Sequence, residues 1–139
     1  MAGLTIVLDT NVLYAGLYSS RGASHAVLRA VQKRKVKMAL STTLLFEYED
    51  VLRRHRAALR LPVGEIGELL DSLCLLAERQ KVHFLWRPFL PDPKDDHILE
   101  LAVASGADGI VTHNVRHFKD VSEFGVNVYT PRQLLEIMK

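Results

Sequence analysis

The sequence predicts an α/β fold in which a central, mostly parallel sheet of four to five strands carries helices on both faces. Three observations lead there. Short apolar, β-branched runs alternate with helix-period stretches along the chain. The first run is apolar at nearly every position, as a strand buried on both faces requires. Capping and turn residues punctuate the junctions. Residues 4–8 (LTIVL) read as the first and central strand. Over residues 23–35, Ala23, Ala26, Val27, Ala30 and Val31 recur at helical spacing with basic residues opposite, the pattern of an amphipathic helix. Residues 36–40 form the next strand, and Ser41, Thr42 and Thr43 offer capping hydroxyls to a helix over 44–59. A third helix over 63–80 turns Ile66, Leu69, Leu70, Leu73 and Ala77 inward. Residues 82–85 are a further strand, and a loop punctuated by Pro (RPFLPDPKDD) opens a helix over 95–105 that Gly106 ends. Residues 109–112 (GIVT) and 126–129 supply the last strands, and Pro131 starts the terminal helix. Right-handed crossovers join such strands, and ligands bind beyond their carboxyl ends.

The composition narrows the function classes. A length of 139 residues predicts one domain over 1–139, and 48% hydrophobic with 24% charged residues is the balance of a globular protein rather than a disordered or fibrous one. Apolar runs fall far short of the roughly 20 residues a bilayer span needs. The N-terminus has no basic leader and carries an acid inside its first apolar stretch, which argues against secretion. With a single cysteine, Cys74, in the apolar stretch LLDSLCLLA, the expectation is a cytoplasmic protein with a buried thiol. The net charge of +2 permits nucleic-acid binding without requiring it.

Carboxylates at strand ends and helix mouths are the chemically informative feature. Asp9 directly follows the first strand, at the functional rim of the sheet, where it is either a ligand or the N-cap of the next helix. Glu47 lies on or beside an inward stripe of Leu44, Tyr48, Val51 and Leu52, and an ionised carboxylate there is costly unless something pairs with it. Glu49 and Asp50 read as a solvated face. Asp92, Asp95 and Asp96 crowd one helix mouth, more acids than capping demands. Asp96 precedes Ile98, Leu101 and Ala102 and is expected to face inward, with Asp95 as the cap. Carboxylates brought to one rim repel one another without a cation, and an oxygen donor set suits Mg²⁺ or Mn²⁺. Among the six histidines only His113 and His117 have a ligand-like spacing, and they follow a strand.

The segments LDTNVL, FEYEDVL and DDHILELAVASGADGIVTHN, in that order, resemble the motifs of the PIN-domain family over essentially the whole chain, closest to its toxin–antitoxin branch. The resemblance implies an α/β/α sandwich, metal-dependent endoribonuclease activity, frequent homodimers and neutralisation by a small antitoxin. Position by position it implies catalytic, metal-holding roles for Asp9, Glu47 and Asp96. It places Thr112 and Asn114 in the segment after the fourth strand, where the family often has a fourth acid at the position of Asn114 or His117. Neither is an acid here, which leaves Asn114 as a carbonyl ligand and makes an RNA- or antitoxin-binding module the competing expectation. In an Mg²⁺- or Mn²⁺-dependent hydrolysis of RNA, Thr10, Asn11, Thr112 and Asp95 would orient ligands or waters around the ion. Arg53, Arg56 and Arg60 are expected on one helical face, a stripe suited to phosphates, with Arg116 and Lys119 nearer the scissile bond. Tyr14, Phe46, Trp86 and Phe89 are candidates for stacking unpaired bases, and Tyr14, Leu17 and Tyr18 equally for a dimer contact.

Overall fold

The computed structural model describes residues 3–82 and 89–139. The apolar run after the N-terminus forms strand β1 (Thr5–Leu8), and Ile6, Val7 and Leu8 are fully buried because helices cover both faces of the sheet. β1 is central, as the sequence predicts. Strands β2 (Lys37–Leu40), β3 (Glu78–Arg79), β4 (Gly109–Val111) and β5 (Asn127–Tyr129) complete a parallel sheet in the order β3-β2-β1-β4-β5. The register pairs Leu8 with Val111, so β1 and β4 end side by side. The Asp9 amide donates to the Val111 carbonyl at 2.9 Å and extends that pairing to the first residue beyond the strand.

Among the described residues seven α-helices accompany the strands: α1 (Thr10–Tyr18), α2 (Ala23–Gln32), α3 (Thr42–Arg54), α4 (Arg56–Leu59), α5 (Val63–Leu76), α6 (Asp96–Ser105) and, after the last strand, α7 (Pro131–Ile137). Their starts and stops have local causes. The Ser41 hydroxyl accepts from the Leu44 amide at 3.1 Å and caps α3. Thr130 and Gln133 form a reciprocal capping box on α7, with Pro131 at its first position. Gly106 closes α6 in the left-handed conformation, at φ 66°. Helix α6 packs on β1, β2 and β4 and is buried continuously from Asp96 to Ala102. No helix among the described residues is long and apolar enough to cross a membrane.

Three boundaries differ from the sequence expectation. The helix expected over 44–59 breaks at His55, the C-cap of α3, and restarts as the single turn α4. The break interrupts the helical period on which the expected stripe of Arg53, Arg56 and Arg60 rests, and Arg60 takes the left-handed conformation at the end of α4. The helix expected to reach residue 80 stops at Leu76, where Ala77 turns extended and Glu78–Arg79 pairs with β2 at the sheet edge. Both β3 residues are exposed and charged, so no apolar signal marks them. Of the strand expected over 82–85, residues 83–85 lie outside the described residues, as does Trp86, and Val82 is not in a strand. Cys74 is half-buried against the core rather than enclosed by it.

Tyr48 ties α3 to the sheet. Its ring is fully buried and its hydroxyl donates to the Leu8 carbonyl at 2.6 Å, one residue before Asp9. Burial above all, then the charges of Asp9 and Glu47, push its pKa well above the usual tyrosine value, so the phenol stays a donor. Tyr48→Phe is expected to cost about 1–2 kcal/mol, measured by urea unfolding, because the buried carbonyl loses its side-chain donor.

Candidate functional site

The candidate site lies at the carboxyl edge of the sheet, where β1 and β4 end together and α3 and α6 arrive. Asp9 stands at the N-cap position of α1 but its side chain makes no cap hydrogen bond. Its carboxylate instead accepts from the Thr112 hydroxyl at 2.7 Å and from the Asn11 amide at 3.4 Å. Asn11 in turn accepts from the His113 amide at 3.2 Å, and the Thr112 hydroxyl accepts from the Asn114 amide at 3.0 Å. Asp9, Asn11 and Thr112 therefore tie the residues after β1 to those after β4.

Glu47 reaches the same edge from α3. One of its carboxylate oxygens accepts from the Thr10 hydroxyl, the other from His97 Nε2 at 3.1 Å. His97 is buried on α6 and escaped the sequence reading, because nothing in its spacing from Glu47, fifty positions away, marks the pair. Its Nδ1 is buried without a hydrogen-bond partner.

The acids at the mouth of α6 divide the work differently from the expectation. Asp92 caps the 3₁₀ turn Pro93–Asp95 by accepting from the Lys94 amide at 3.0 Å. Asp96 is buried, and its carboxylate accepts from the backbone amides of Leu90 at 2.9 Å and Phe89 at 3.3 Å, fastening the incoming loop to the helix. Asp95 makes no cap hydrogen bond; its Oδ2 is buried with no hydrogen-bond partner and lies 3.4 Å from His117 Nδ1. Asp95 feels the charges of Asp9 and Glu47. Asp96 faces inward, as its place before Ile98, Leu101 and Ala102 predicts, while Asp95 stands at the N-cap position of α6 without a side-chain cap bond.

Electrostatics bear out this grouping. Burial first, then the Asp9 and Asp92 charges, with Glu47 adding to them, push the Asp95 carboxyl up to about 6 against a partial offset from His117. Asp9 is also raised, first by burial and further by Glu47, although the Thr112 hydrogen bond opposes the rise. Glu47 goes the other way: burial raises it, but the hydrogen bonds from His97 and Thr10 outweigh burial and hold it below the ordinary range. One ionised acid beside two acids whose charge is disfavoured, one of them with a buried carboxylate oxygen that accepts no hydrogen bond, is a set of oxygen donors of the type a hard divalent cation takes. Asp9, Glu47 and Asp95 are the residues that would hold it. They are neighbours at electrostatic range: among the described residues no three such side chains close to the spacing of a ligand shell.

The remaining expected site residues sit around this centre. Asn114 is exposed at the start of the 3₁₀ turn Val115–Phe118, which also carries Arg116 and His117, and Lys119 follows it; all are exposed. Arg53 is engaged with Glu49 at 2.9 Å and Arg54 with Asp50 at 2.7 Å, each an i,i+4 pair on the solvated side of α3. Arg56 is exposed on α4.

A family described as PIN domain matches this sequence over residues 5–116. Among solved structures, the crystal structure of VapBC2 from Rickettsia felis bound to a DNA fragment from their promoter includes a similar chain. It aligns with a TM-score of 0.59 and 16% identity, over 91% of this chain and 99% of that one. No curated protein matches the sequence.

Proposed function

The chain belongs to the PIN-domain family, and we propose that it is a divalent-metal-dependent endoribonuclease, the toxin of a cytoplasmic toxin–antitoxin pair. The observation that carries the proposal is that Asp9, beyond the end of β1, and Glu47 and Asp95, from α3 and the start of α6, lie within electrostatic range of one another: burial and then Glu47 raise the Asp9 carboxyl, and burial and then Asp9 raise that of Asp95. A group of like charges, one buried and two half-buried, is costly in a scaffold and useful around a cation.

Asp9, Glu47 and Asp95 would hold Mg²⁺ or Mn²⁺. When bound, the ion supplies positive charge against the phosphate oxygens and makes a neighbouring water more acidic. The chain's own part is to hold the ligands in place. Thr112 and Asn11 fix the Asp9 carboxylate by donating to it, and Thr10 and His97 fix Glu47 and keep it ionised. His117, beside Asp95, and exposed Asn114 occupy the side of the site where many relatives carry a fourth acid. Arg116 and Lys119, on the same exposed turn, suit the flanking phosphates, with Arg56 further out. In the hydrolysis, water attacks phosphorus in line and the P–O3′ bond breaks, which leaves a 5′-phosphate and a 3′-hydroxyl. The likeness to a chain of the VapBC2 complex supports a small antitoxin as partner, and the family resemblance supports a homodimer.

The test is incubation of the purified protein with single-stranded RNA and Mg²⁺ or Mn²⁺, beside EDTA and Asp9→Asn controls. Cutting that both controls abolish is the expected result. RNA that is retarded in a gel yet stays intact would replace the nuclease with a binding module, the reading that Asn114 and His117 in place of a fourth acid favour.

A further inference from the structure

A cavity of about 460 Å³ opens beside Glu47, between α1 and the end of α3. Thr10 and Glu47 form its wall toward the acids, while Tyr14, Val51, Arg54 and His55 form the rest. The Tyr14 ring is held from two directions: Tyr18 lies parallel to it at a centroid distance of 5.9 Å and 8° between planes, and His55 meets it edge-on at 5.3 Å and 67°. Tyr18 is 61% exposed, while Tyr14 is half-buried with part of its ring against the core, so the aromatic group is anchored from below and reaches solvent at its outer edge. His55 is placed there by the break between α3 and α4.

Resting on the ribonuclease reading, we propose that this cavity is a subsite for one unpaired nucleobase flanking the scissile phosphate. Charge decides between base and phosphate as its occupant. The Arg54 guanidinium is already neutralised by Asp50 at 2.7 Å, and Glu47 adds a negative charge to the wall, so a phosphate gains little there. A neutral, planar base gains from an aromatic face fixed in advance, from the flat guanidinium of Arg54 and from the apolar side of Val51. The shared wall at Glu47 and Thr10 makes the cavity continuous with the carboxylate cluster, as a subsite for the neighbouring nucleotide must be. Concavity also favours a small planar group over the flat face of a second protein.

The test compares two probes by fluorescence anisotropy in Ca²⁺: a single-stranded RNA decamer and a decamer of the same backbone with abasic residues. Wild-type protein is expected to prefer the base-bearing decamer. Tyr14→Leu weakens that preference about 5- to 100-fold, the range of one base–aromatic stack, and leaves affinity for the abasic decamer unchanged. Tyr14→Phe retains the preference, and His55→Ala, at an exposed position that folding tolerates, lowers it by a smaller factor. Equal loss on both probes, no effect of Tyr14→Leu, or no binding of either decamer would overturn the subsite. So would a Tyr14→Leu protein whose sedimentation shows a lost oligomer while its RNA preference is intact, which would assign the aromatic group to a protein contact. Base preference that survives in a protein unable to cut RNA would keep the subsite and remove the nuclease reading.

Discussion

Asp95→Asn is expected to abolish the proposed RNA hydrolysis and at the same time to make the metal-free protein more stable at neutral pH. Both effects come from one buried carboxylate oxygen that no hydrogen bond satisfies, close to the charges of Asp9 and Glu47. Loss of a group that supports a ligand costs about 10- to 100-fold in metal affinity or activity, and loss of a ligand itself costs more, so the residual rate should fall below one hundredth of wild type, roughly. The stability change follows from linkage. The Asp95 carboxyl titrates at about 6 in the folded protein against 3.8 as its unperturbed value. Between these values the folded state binds more protons than the unfolded one, so stability falls as pH rises from about 4 to 6 and stays at the lower level beyond. Asparagine carries no charge and removes that loss. With allowance for solvent screening the gain at pH 7 is roughly 1–2 kcal/mol, several degrees in Tm. Thermal unfolding in EDTA at pH 5 and pH 7 checks it: the wild type should gain stability at the lower pH relative to Asp95→Asn, and a difference independent of pH would contradict the account.

The neighbouring acid behaves in the opposite way. Asp96→Ala is expected to destabilise the protein by about 3 kcal/mol, because it leaves the amide of Leu90, a residue only 4% exposed, without its acceptor and releases Phe89 as well. In a chain of this size that is on the order of 10 °C in Tm, read by circular dichroism. Asp96→Asn keeps an oxygen facing the Leu90 amide and should cost under about 1 kcal/mol while RNA cutting stays within a few-fold of wild type. Two adjacent aspartates thus separate a function that strains the fold from a structural anchor that supports it.

The contrast shows what could be read from the chain and what could not. β1 was legible because LTIVL is apolar at every position but Thr5, and so apolar a strand fits a central place covered on both faces. Asp9 was legible by its place after that strand, and Glu47 because an acid beside a buried stripe calls for a partner. The partners were not. Thr112 reaches Asp9 across 103 positions and His97 reaches Glu47 across 50, and no periodicity encodes such meetings. Asp96 was legible as the inward acid, but the environment of Asp95 was not, because a short 3₁₀ turn before a helix buried on all sides removes the polar face that would set the phase of its first residues. The arginine stripe failed at His55, where the helical period stops and the sequence offers neither Pro nor Gly to announce it.

The most direct measurement is the affinity for Mn²⁺, by isothermal titration calorimetry, of the wild type, Asp95→Asn and Asp96→Asn at one pH. Binding weakened at least about tenfold in Asp95→Asn and changed by no more than a few-fold in Asp96→Asn is the predicted outcome. Weak binding in Asp96→Asn with unaltered binding in Asp95→Asn would show that the cation is held elsewhere than among Asp9, Glu47 and Asp95.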